Sequence, residues 1–167
     1  MPAVSSSAGA QPENVTAKDG AIDFDLALPF LPYYVPAEAR EALAFVPFEN
    51  DLNKFRLQAT GWNPARKCAL MVNKREVGVF TAAQLAAGID LAQLEGAPWT
   101  DAAKKVNEIA ALRPNRLDIL PDYRVRNLPS FAKLAAANTE YMDELGGAMT
   151  SLAQPGKYHF SLVPADR

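Results

Sequence analysis

The chain has 167 residues, 49% of them hydrophobic and 22% charged, with a net charge of −2. That length allows a core of ordinary globular size, and the acidic balance withholds the basic face that nucleic-acid binding needs to release counterions. No apolar run approaches the roughly 20 residues of a membrane-spanning helix, and a single cysteine, Cys68, rules out an intrachain disulfide or a thiolate-rich zinc site.

The first twenty residues, "MPAVSSSAGAQPENVTAKDG", have neither a basic n-region nor an apolar h-region, so they do not read as a signal peptide. Their Ser, Ala, Gly and Pro content predicts a flexible tail over 1–20, with a single α+β domain over 21–167. From Ile22 the pattern alternates: Ile22, Phe24, Leu26 and Leu28 on one face, Asp23, Asp25 and Ala27 on the other. This predicts a half-buried strand whose acids face water, and protection of a sheet edge accounts for those acids. Pro29, Pro32 and Pro36 then impose an extended connector, followed by a short helix that Pro47 stops.

"NKFRLQATGW" reads as a strand ended by Gly61, and "KCALMVNKREVGVF" as a hairpin turning at Asn73 to Glu76. Three strands so closely joined predict one small antiparallel sheet. Thr81 with Gln84 three residues later forms a capping-box pattern for a helix of two turns at most, and Gly88 suits its C-terminal end. Trp99, Ala103, Val106, Ile109 and Ala110 recur at helical spacing between Pro98 and Pro114. The longest helix begins near Pro129, with Phe131, Leu134, Tyr141, Leu145, Ala148 and Leu152 as its apolar stripe. Gly146 and Gly147 weaken it by about 1 kcal/mol each relative to alanine. "KYHFSLVP" closes the chain as an edge strand, with Tyr158, Phe160 and Leu162 on one face. The expected fold class is α+β: a small antiparallel sheet, helices packed on one side and a long C-terminal helix.

Chemistry is sparse. A nucleophilic serine needs a base, and the single histidine, His159, shares a strand face with Ser161 at a spacing that seldom makes such a pair. Asp23 and Asp25 supply too few ligands for a hard cation. Glu49 and Asp51 read as turn or cap residues, and Asp118 and Asp122 as ion-pair partners of Arg124 and Arg126. Cys68 reads as a small buried hydrophobe, and Trp62 and Trp99 as packing anchors, with a carbohydrate platform as their other use. No catalytic, cofactor-binding or metal-binding residue is assigned.

Two segments carry a family resemblance: "VPFENDLNKFRLQATGW" and "ALMVNKREVGVFTAAQLAAGIDLAQL". With "GAIDFDLALPFLPYYVP" before them and "LPSFAKLAAANTEYMDELGGAMTSLAQPGKYHFSLVP" after, the chain resembles the C-terminal region of bacterial SGNH (GDSL-type) hydrolases over 17–164. The GDS block, the oxyanion-hole blocks and the D-x-x-H pair of that family are absent. The resemblance therefore implies an accessory portion of an ester hydrolase without its own catalytic set. A hydrolase domain would dock on the helical face carrying Phe131, Tyr141 and Met142. Family habit implies export, which nothing else in the sequence supports. The competing expectation is a free-standing, non-catalytic module that binds glycan or protein.

Overall fold

The computed structural model describes residues 3–6, 11–45, 55–112 and 127–165. The expected turn and cap roles of Glu49 and Asp51, and the ion pairs of Asp118 and Asp122, fall outside them. The fold is α+β, with two antiparallel sheets and several helices. By its packing the chain divides into two compact units, Met1–Ala103 with Pro155–Arg167, and Lys104–Gln154.

The first unit holds both sheets. Strands β1 (Ala3–Ser6), β4 (Arg56–Thr60) and β7 (Ile89–Asp90) form the smaller one, in the order β1-β4-β7. The larger is β2-β3-β8-β5-β6, built from β2 (Glu13–Lys18), β3 (Ala21–Leu28), β5 (Lys67–Val72), β6 (Arg75–Thr81) and β8 (Gly156–Pro164). Two expectations are corrected here. The segment read as a tail contains β1 and β2, because backbone pairing with β4 and β3 satisfies strands whose composition carries little apolar signal. The single expected sheet is two, because β4 pairs with β1 and β7 while β5 takes β8 on its second edge.

β8 is also not an edge. It lies between β3 and β5, with Phe24 opposite Phe160 on one side and Leu70 opposite Leu162 on the other. Pairing on both edges buries Phe160 and Leu162 completely, and β3 is interior for the same reason. The core gathers Ile22, Phe24 and Leu26 with Leu70, Phe160 and Leu162, and reaches Leu57 of the smaller sheet and Phe55 just before β4. Trp99 enters this core from α2 (Pro98–Leu112), stacking on Phe160 at 5.7 Å between ring centroids and meeting Tyr158 edge-on at 5.1 Å. Its indole Nε1–H donates to the Leu91 carbonyl at 2.8 Å, so its one polar atom is satisfied.

The hairpin and capped helix form as their sequence specifies. Asn73 and Lys74 both have positive φ, 49° and 69°, giving a two-residue connection shorter than the one expected. Thr81 caps α1 (Ala82–Ala87): its hydroxyl accepts from the Gln84 N–H at 3.2 Å, and Gln84 Oε1 accepts from the Thr81 N–H at 2.8 Å. Gly88 ends it at φ 95°. The segment expected as a short helix after Pro36 is a 3-10 helix, Ala37–Ala44.

The second unit contains the later turns of α2 and the 24-residue helix α3 (Pro129–Leu152). α3 runs through Gly146 and Gly147 without interruption and has no fully buried residue. Its half-buried face carries Phe131, Ala135, Asn138, Met142, Leu145 and Met149, whereas Leu134 and Tyr141 are exposed. The expected face of Phe131, Tyr141 and Met142 is thus split: Phe131 and Met142, eleven positions apart, share one side, and Tyr141 lies about 100° off it.

Candidate functional site

The richest cluster of polar side chains sits on the solvent face of β2, β3 and β8. Alternation along β3 turns Asp23 and Asp25 outward while Ile22, Phe24 and Leu26 go to the core. β8 does the same with His159 and Ser161. The register then sets Asp25 opposite His159 and Asp23 opposite Ser161. His159 Nδ1 lies 3.0 Å from Asp25 Oδ1, and Nε2 lies 3.9 Å from Asp23 Oδ1. The Ser161 hydroxyl donates to Asp23 Oδ1.

Neighbouring elements complete the cluster. Asn14 Nδ2 donates to Asp25 Oδ2 at 2.8 Å, and Lys157 Nζ pairs with Glu13 Oε2 at 2.7 Å and reaches Asp25 Oδ2 at 4.0 Å. The His159 N–H donates to Asn73 Oδ1 at 3.0 Å, tying the β5–β6 turn to the same face. The Asn14 hydrogen bond, then that of His159, holds the Asp25 carboxyl below its ordinary range, with the nearby Lys157 charge acting the same way. Lys157 is raised by its hydrogen bond to Glu13 and by that carboxylate's charge. Burial raises the Tyr158 phenol.

An imidazole oriented by a carboxylate has one ingredient of nucleophilic catalysis, but the serine hydroxyl here donates its hydrogen bond to Asp23 rather than to His159. Ser161 lies within β8, where the strand is paired on both sides with β3 and β5. Backbone amides engaged in such ladders are not available to stabilise an oxyanion. What the cluster does chemically is join three strands by alternating charges. Among the described residues no group of three or more His, Cys, Asp or Glu side chains could hold a metal ion.

The other expected positions resolve as packing. Trp99 is fully buried, which removes it from any exposed sugar platform, and Trp62 is half-buried, its Nε1–H donating to the Gly20 carbonyl at 3.1 Å. Cys68 is buried in the core. An open groove of about 450 Å³ lies along α1 and β7, lined by Phe80, Gln84, Ala87, Ile89, Asp90 and Leu94 among others. One Asp90 carboxylate oxygen is already committed to the Ala92 N–H at 2.9 Å. No helix among the described residues is long and apolar enough to cross a membrane.

The sequence pairs Asp23 with Asp25 and His159 with Ser161 but does not join the two pairs, and it gives no sign of Glu13, Asn14 or Lys157 beside them. One local signal could have found β2: Asp19-Gly20, followed by alternating residues, is a strong hairpin cue. Both residues have positive φ, 51° and 79°.

The fold and this face define an α+β protein whose polar cluster is built for cohesion between strands. No family model matches the sequence, and no curated protein matches it. Among solved structures the chain is similar to BT4096, a gut microbial diltiazem-metabolizing enzyme, with a TM-score of 0.76 and 19% identity. The match covers 93% of this chain and 46% of that one, so the chain spans less than half of the enzyme it resembles. This overturns the SGNH assignment drawn over 17–164: the likeness found is to the diltiazem-metabolizing enzyme, and nothing in the comparisons connects the chain to an SGNH hydrolase C-terminal region. The residues that suggested it, such as Asn73-Lys74 and the Thr81–Gln84 box, specify a turn and a cap, and such signals mark local geometry rather than ancestry.

Proposed function

We propose that this chain is a non-catalytic accessory portion of a larger enzyme acting on small organic molecules. It completes that enzyme's surface and shapes access to a reacting centre carried elsewhere. The observation that carries the reading is the pairing of coverage with chemistry. Nearly the whole chain has the fold of under half of BT4096, and its candidate nucleophile Ser161 donates its hydrogen bond to Asp23 instead of His159. The exposed apolar residues of α3, Leu134 at 51% and Tyr141 at 44%, are the surface we assign to contact with a catalytic body.

Two measurements test the two halves of the reading. The purified chain incubated with diltiazem should give no product by mass spectrometry; turnover that disappears in His159→Ala would overturn the absence of catalysis. Deleting the equivalent portion from BT4096 should lower that enzyme's diltiazem turnover or its stability. A deletion that leaves both intact would overturn the accessory role.

A further inference from the structure

β2 is unusual among the strands of the larger sheet. All six of its residues are exposed, and none belongs to the core. Its pairing with β3 is interrupted between Glu13 and Thr16, where Asn14 takes a positive φ of 53°. Burial therefore contributes little to its attachment, and its side-chain anchors are polar. At its start, Lys157 reaches from β8 across β3 to Glu13, and Asn14 donates to Asp25. At its end, the Asp19-Gly20 turn is fixed by the Trp62 hydrogen bond to the Gly20 carbonyl. The two kinds of anchor differ in character. Lys157 and Glu13 are 53% and 59% exposed, so dissolved salt reaches their charges directly. The Trp62 anchor is a neutral hydrogen bond from a half-buried ring packed against the core.

We propose that β2 is a salt-releasable strap over the edge of β3, clasped by Lys157–Glu13 and Asn14–Asp25 and hinged at the Asp19-Gly20 turn. Raising ionic strength opens the clasp while β3, β8, β5 and β6 stay paired. Release uncovers the backbone N–H and C=O groups of β3 on that side, the kind of edge that accepts another extended segment. This goes beyond the accessory role and does not depend on it.

Amide hydrogen exchange on the full chain tests the strap. Between about 20 mM and about 500 mM sodium chloride at neutral pH, exchange of residues 13–18 should quicken about fivefold while residues 67–72 stay unchanged. Lys157→Met should give the fast exchange already at low salt. Asn14→Gly, which keeps the positive φ accessible, should give a smaller acceleration. Exchanging the two charges, Glu13→Lys with Lys157→Glu, should restore protection. The proposal is overturned if 13–18 is as protected as 67–72 in both salts. The β3 amides bonded to β2 should quicken with it; the proposal is equally overturned if 67–72 and 156–164 open in step with 13–18, or if Lys157→Met loses protection across the whole sheet.

Discussion

Asp25 and His159 face each other across the β3–β8 register, carboxylate Oδ1 to imidazole Nδ1 at 3.0 Å. The carboxylate takes a second hydrogen bond from Asn14, and that bond, then the one with His159, holds its pKa below the ordinary 3.8. The sign of the linkage follows. A carboxyl lowered in the folded state contributes stability that is complete above its unfolded value and is lost as pH falls through the lowered one. Urea unfolding of the native chain should therefore weaken progressively below about pH 3.8. In Asp25→Asn that acid limb should be shallower. An unchanged limb would remove Asp25 from the acid response. Lys157 has the opposite sense: its contribution is present below 10.5 and is lost as pH rises through its raised value.

Phe160 stacks on Phe24 at 5.1 Å and on Trp99 at 5.7 Å, with no solvent exposure. Truncation to alanine leaves a cavity at the centre of the larger sheet and should cost about 3–5 kcal/mol. Phe160→Leu should cost clearly less. Equal losses in chemical denaturation would mean that the aromatic ring itself, and not the volume it fills, carries the contribution.

Lys74 occupies the second position of a tight turn at φ 69°, a region that costs a β-carbon-bearing residue roughly 1–2 kcal/mol. Lys74→Gly removes that strain at some cost in unfolded-state entropy, and should stabilise the chain by about 0.5–1 kcal/mol. A lower melting temperature in the variant would contradict the turn geometry.

At the other end of β6, Thr81→Ala removes a cap and should cost about 1 kcal/mol. Thr81→Ser, which keeps the hydroxyl, should recover most of it. The comparison separates the capping hydrogen bond from the methyl group's packing.

Gly146 and Gly147 lie inside α3, and a β-carbon added at either meets nothing within 4 Å. Gly146→Ala and Gly147→Ala should each stabilise the helix by up to about 1 kcal/mol, read as higher helicity on heating by circular dichroism. A loss of helicity would show that the close approach glycine permits is in use.

Local signals were legible where they are strong. The alternation of Ile22 to Leu28 and the Thr81–Gln84 box are each visible within a few residues and appear as read, and the turn that starts at Asn73 appears with two residues instead of the expected four. The candidate site was only half legible. Alternation put Asp23, Asp25, His159 and Ser161 on outward faces, but their partnership depends on register between segments more than 130 positions apart. No window of sequence contains that information. The stripe of α3 was displaced because Leu134 and Tyr141 are apolar yet exposed, and Asn138 is polar yet half-buried.

By itself the sequence determined the α+β class, the caps and turns, and the scarcity of reactive groups. All of these follow from side-chain chemistry and backbone preference within a few bonds. Only the tertiary structure decided that β8 is central, that β2 exists as a strand, and that the serine serves an aspartate instead of the histidine. Those outcomes depend on which backbone edges meet, and hydrogen-bond ladders carry no residue code until burial of the opposite face selects their register.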